Sequence, residues 1–332
     1  MKWFSILAAL VLILPTHESH ALQATKQQDE KAAKTEEASK EKPKQQFIRL
    51  RKEGRWPVAM ETNIVRYTDS IKHPGVTVDL IGAIHIADPQ YFKKLNELFT
   101  EYDVLLFEAV KDENAEVGGG KPHRGGAVAK NGDMSTDTMV GLSTIGMLQS
   151  GMTDMLGLAY QMEGIDYTKK NFVHADMTTQ EFQKSMSARG ESFGGMMMKE
   201  MAKSMGKQTG NPIAQQLDLM LSMMSKDPQV KLRRIAAKEL AKAGAEEAFS
   251  DENGESTIIT ERNKKALQVL DEQLDKGHKK IGIFYGAAHM PDMEKRLMQD
   301  FYFTRGDVKW LSAWKLRTEK KNAKKAAQPA AK

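Results

Sequence analysis

The fold turns on one stretch, Val76–Ala109, which reads VTVDLIGAIHIADPQYFKKLNELFTEYDVLLFEA. Val76–Ile84 has the length and β-branched content of a buried strand. Asp88 followed by Pro89 marks a helix start, with the helix running to about Tyr102. Val104–Ala109 is a second apolar strand. A strand–helix–strand unit of this kind makes the two strands parallel neighbours. Both then end at the same sheet edge, where ligands bind in open α/β sheets. His85 lies just past the end of the first strand and Glu108 near the end of the second, so the topology draws the two side chains together.

The chain repeats part of this stretch near its other end. YGAAHMPDM, Tyr285–Met293, again places Gly-Ala-x-His after an apolar strand, KIGIFY at Lys280–Tyr285, and again puts an Asp three residues after the His. Gly82 and Gly286 let the backbone approach closely where a Cβ would obstruct. Asp88 and Asp292 read as helix caps. A helix over Thr260–Lys276 runs into the second strand through a short turn, so it is antiparallel to that strand and its first turn brings Arg262 near His289. If the two halves share one sheet, His85, Glu108, His289 and Arg262 face a common cleft. Asp176 ends a short strand, NFVHADM at Asn171–Met177, and arrives at the same edge, with His174 two residues earlier on the same strand face.

Two imidazoles and a carboxylate are a ligand set for a divalent metal with open positions. Such a metal polarises a carbonyl and acidifies water. Glu108 is either the third ligand or a general base, and Arg262 can hold a substrate carboxylate or an oxyanion. His174, Asp176, Gly82 and Gly286 form the supporting layer. Each residue also has a structural reading: a lone His after a strand finds many hydrogen-bond partners, and Glu108 can cap a helix or pair with a lysine. Arg262 in the first turn of a helix opposes the macrodipole, which argues for another purpose.

Outside this core the composition changes. Residues 1–21 read as a signal peptide, with Lys2, an apolar run Trp3–Leu14, and Ser19 and Ala21 at the cleavage positions. The apolar run is short of the ~20 residues of a spanning helix, so no transmembrane span is expected after cleavage. Residues 22–46 form a polar linker and residues 319–332 a basic low-complexity tail. Residues 47–318 remain as a single α/β domain, with a mixed central sheet built from two related halves and a large helical insertion at about 134–250. Thr178–Glu181 spells a capping box within that insertion. Sixteen of the 21 methionines fall between Met134 and Met224. Met197, Met201 and Met205 share a helix face, as apolar packing, a groove lining or a copper(I) thioether site.

There is no cysteine, which excludes disulfides and thiolate metal sites. The net charge of +5 lies largely in the tail. No basic face with interleaved aromatics appears, so nucleic acid is not an expected partner. The tail can make at most a weak contact with an anionic envelope surface.

On its two Gly-x-x-His motifs, Gly82/His85 and Gly286/His289, with Glu108 after the first and Arg262 in the helix before the second, the chain resembles the TraB/GumN family, related to the Tiki metalloproteases. Gly164–Tyr167, GIDY, is similar to the family's segment before its middle strand. The resemblance implies a mixed α/β fold of two related halves and a metal-dependent peptidase. It implies an ion of manganese, cobalt or zinc type, and a peptide or protein substrate. Joined to the signal peptide, it describes an exported hydrolase, periplasmic or secreted. The alternative is a non-catalytic peptide- or ligand-binding module with the same cleft.

Overall fold

The computed structural model describes residues 46–68, 70–113, 151–196, 220–242 and 255–318, with residues 115, 117, 138, 198, 199 and 217. The expected signal peptide, the tail, nearly all of the linker and the Met197, Met201, Met205 stripe lie outside these residues.

The chain opens with β1 (Ile48–Glu53) and β2 (Trp56–Thr68), an antiparallel pair, then β3 (Thr77–Ala83). A two-residue strand β4 (Ile86–Ala87) leads into α1 (Pro89–Phe99) and β5 (Val104–Phe107). Further along come β6 (Ala159–Tyr160), α2 (Gln161–Gly164), β7 (Phe172–His174), α3 (Thr179–Ala188) and α4 (Pro228–Lys242). A single π-turn, Thr257–Glu261, passes into α5 (Arg262–Asp275). β8 (Lys280–Gly286), a 3-10 turn over Ala287–His289, α6 (Met290–Gln299) and β9 (Thr304–Lys315) complete the domain.

The fold is mixed α/β around a seven-stranded sheet in the order β1-β2-β3-β8-β5-β7, with β9 also paired to β2. β1, β2, β3 and β9 pair antiparallel, whereas β3, β8, β5 and β7 are parallel. Alternation along each strand feeds two cores. Ile81, Phe107 and Phe284 join Tyr91, Phe92 and Leu95 of α1 on one face. Leu80, Leu106 and Ile283 join Leu267 and Leu270 of α5 and Met293 of α6 on the other. Helices on both faces explain why β3, β5 and β8 read as nearly unbroken apolar runs.

One expectation is corrected. β3 and β5 are parallel but are not neighbours, because β8 lies between them and pairs with both. Ile281, Ile283, Phe284 and Tyr285 of β8 are all buried. Such a strand needs a partner on each edge and a core on each face, and the middle of the sheet supplies both.

The capping box forms as expected: Thr178 Oγ1 accepts from Glu181 N (3.1 Å) and Glu181 accepts from Thr178 N (2.8 Å). The two aspartates do not cap. Asp88 stands at the N-cap of α1, but its carboxylate binds Arg233 (3.0 Å) and Lys315 N (2.6 Å). Asp292 lies inside the first turn of α6 and binds Asn263 Nδ2 and Arg296 Nε. In both cases a nearby donor from another element, or from the next helical turn, takes the carboxylate instead of the helix amides.

Candidate functional site

Because β8 is central, the ends of β3, β8 and β5 lie side by side, and the residues just beyond them meet. His85 follows β3, Glu108 follows β5, and His289 closes the 3-10 turn after β8. Their meeting point is Gly286. Its amide donates to Glu108 Oε2 (2.6 Å). A Cβ on Gly286 would sit 3.3 Å from Glu108 Oε2, 3.6 Å from His85 Nε2 and 3.7 Å from His289 Cδ2. The missing side chain is what leaves the three groups a shared space.

The two glycines are not equivalent, although the sequence writes them alike. The register pairs Ala83 with Gly286 and Gly82 with Tyr285, so the motifs are offset by one residue. Successive strand residues face opposite ways. Gly82 therefore faces Ala287 and Met290, on the side away from the histidines.

Arg262 holds Glu108 from the other side. Its Nη2 donates to Glu108 Oε1 and to Asp176 Oδ2, both at 2.6 Å, and its Nε donates to Asp176 Oδ1 at 2.9 Å. Nη1 reaches Ile258 O in the π-turn at 3.3 Å. Four of the five guanidinium N–H groups thus have protein partners. π-turns are frequent at functional positions, and here one delivers both Ile258 O and the start of α5. Burial disfavours the charged carboxylate of Glu108, but Arg262, His289 and His85 together outweigh it, and the group is held well below the usual carboxylate range. Burial likewise disfavours the Arg262 charge, and Asp176 and Glu108 keep it protonated.

The residue that meets His289 is not Arg262 but its neighbour. Asn263 Oδ1 lies 2.7 Å from His289 Nδ1. Across the cleft Gln161 Oε1 lies 3.1 Å from His85 Nδ1. Gln161 arrives through the small β4–β6 pairing, which sets Ile86 opposite Tyr160. Neither amide was expected from the sequence. Asn263 had a signal, since it follows Arg262 in the same buried first turn. Gln161 had none, because its approach depends on a two-residue strand pair. His174 does not join the cleft: its Nε2 bonds Ala109 O (2.7 Å), its ring packs on Phe107, and burial lowers its pKa. Asp176 comes to the site only through Arg262.

The donor chemistry fits a divalent cation. His289 Nε2 lies 3.5 Å from Glu108 Oε1. With Nδ1 engaged by an amide oxygen, Nε2 faces the carboxylate, and either a proton on the ring or a bound cation supplies the positive charge between them. Roughly 3.4 Å is also the ligand–ligand edge of a tetrahedron with ~2.1 Å bonds. Glu108 and Asp176 share one guanidinium, so with both imidazoles neutral the buried cluster has a negative charge in excess, which a cation offsets. Among the described residues no three His, Asp or Glu side chains are already drawn together tightly enough to hold an ion; His289 and Glu108 stand as a pair, with His85 at the same space.

Comparison with known proteins gives the family. Residues 70–299 match the model of the TraB/PrgY/gumN family. No curated protein and no solved structure matches the chain. The matched span holds most of the chain and includes every residue around Gly286, and so the chain belongs to the TraB/PrgY/gumN family.

Proposed function

We propose that the protein is an exported metal-dependent hydrolase that cleaves peptide or protein substrates, with His85, His289 and Glu108 as the metal-binding side chains. The observation that carries this reading is the convergence of two imidazoles and one carboxylate on Gly286. Family membership and the excess buried negative charge support it. A manganese, cobalt or zinc ion bound there would supply Lewis acidity toward a substrate carbonyl and acidify water.

The chain's own residues divide the remaining work. Glu108 is pulled well below the usual carboxylate range, which makes it a weak proton acceptor near neutral pH and a better ligand than general base. Arg262 is a positioning residue: Nε and Nη2 are spent on Glu108 and Asp176 and one Nη1 hydrogen on Ile258 O, so its main work is to orient the carboxylate. Asp176 offsets the arginine and fixes its plane. Gly286 keeps the shared space open and ties Glu108 to the end of β8.

The test is metal content and cleavage of a peptide library by the purified protein. Wild type should retain a divalent ion and cut peptides, and His85→Ala and His289→Ala should lose both. Equal metal and equal cleavage in all three would remove the reading. The competing binding-module reading draws on Glu108, whose two oxygens are each already bonded by the protein. Tight peptide binding without turnover under every divalent metal tried would select it.

A further inference from the structure

Each histidine of the cleft is gripped twice by one amide residue, once at its ring and once at its backbone carbonyl. Asn263 places Oδ1 2.7 Å from His289 Nδ1 and donates through Nδ2 to His289 O at 3.1 Å. Gln161 places Oε1 3.1 Å from His85 Nδ1, and its backbone N–H donates to His85 O at 2.7 Å. The two arrangements come from unrelated elements, α5 and the β6–α2 junction, and reach the same result.

The polarity of the Asn263 grip is set by its other partners. Nδ2 also donates to Asp292 Oδ2 at 2.8 Å, and Arg296 Nε holds that carboxylate oxygen at 2.7 Å. A carbonyl and a carboxylate can only accept, so the Asn263 nitrogen must face them and its oxygen must face the ring. An oxygen facing Nδ1 requires a hydrogen there. On the other side, Gln161 Oε1 faces His85 while its Nε2 lies 2.9 Å from Tyr167 OH, a hydroxyl able to accept from it.

We infer that Gln161 and Asn263 are positioning residues that fix both imidazoles as the Nδ1–H tautomer and present two Nε2 lone pairs to the space beside Gly286. The inference rests on the reading of that space as a cation site. Ligating imidazoles are generally oriented by a partner on the other ring nitrogen. Amides suit this cleft better than carboxylates. They accept the Nδ1 hydrogen without adding charge to a cluster in which Glu108 and Asp176 already outnumber Arg262. The assignment also leaves the Tyr167 O–H without an acceptor among the described residues, as a spare donor beside the cleft.

The experiment is nitrogen NMR of histidine-labelled, metal-free full-length protein at mildly alkaline pH. His85→Gln and His289→Gln assign the signals. Wild type should show protonated Nδ1 and unprotonated Nε2 at both residues. Gln161→Leu and Asn263→Leu should release the facing ring into a mixture of tautomers and weaken zinc binding about 10–100-fold. Gln161→Glu and Asn263→Asp keep an acceptor and should keep the tautomer. A protonated Nε2 at either histidine in wild type overturns the inference, even if no leucine variant folds. So does a folded leucine variant with unchanged tautomer and zinc affinity. Peptide cleavage is scored separately. Wild type with the stated tautomers and no cleavage would remove the hydrolase reading and leave this one standing.

Discussion

Arg262 Nη2 lies 2.6 Å from Glu108 Oε1, and the same nitrogen lies 2.6 Å from Asp176 Oδ2. One buried guanidinium therefore couples two loops that follow neighbouring parallel strands, β5 and β7. Replacing Arg262 with Ala leaves two carboxylates facing each other without a cation. That change should cost ~3–5 kcal/mol of stability and abolish activity, measured by urea unfolding and peptide cleavage. Arg262→Lys keeps a charge but cannot span both carboxylates, so it should recover part of the stability and little of the activity.

The two motif glycines should respond differently to one methyl group. In Gly286→Ala the new Cβ stands 3.3 Å from Glu108 Oε2 and intrudes between the histidines. Folding should survive while metal affinity falls about 10–100-fold, as for disturbed ligand-support contacts. In Gly82→Ala the nearest atom is Asn63 O at 3.4 Å, with Ala287 and Met290 next, which is ordinary contact. That variant should bind metal as wild type does. Parallel titrations of the two proteins check the contrast.

Gly282 serves packing rather than chemistry. A Cβ there would lie 2.6 Å from Leu105 Cδ1 and 3.1 Å from Tyr102 Cδ2. Gly282→Ala should overpack the middle of the sheet and lower stability by ~1–3 kcal/mol. A lower urea midpoint with an unchanged slope would show it.

His174 predicts a pH effect. Burial lowers its pKa below the usual 6.5, so the unfolded chain binds its proton more readily than the folded one. Its contribution is fully present above pH 6.5 and is lost as pH falls through the folded value. His174→Asn should flatten the stability profile in that window, seen by comparing urea midpoints of the two proteins across the acid range.

Much of this architecture is legible in the sequence. Alternating and continuous apolar runs marked β1, β3, β5 and β8, and Thr178 with Glu181 marked the start of α3, because these signals are local. The place of β8 was not legible. Strand order is decided by which edges and faces are buried together, and Val76–Ala109 alone cannot reveal a strand inserted from the far end of the chain. The cleft shows the same division. His85, Glu108 and His289 follow strand ends and could be named from topology. Gln161 as the partner of His85, and Asn263 rather than Arg262 as the partner of His289, could not, since both depend on side chains crossing between elements distant in sequence.

The central position of β8 also governs when the cleft can exist. Thr77 pairs with Lys280, and His85 and Glu108 wait for a strand that is made about two hundred residues after β3. Chains are synthesised from the N-terminus, and long-range parallel pairing closes late. Until Lys280–Gly286 has been made, His85 and Glu108 have no strand between them, and the cleft cannot form.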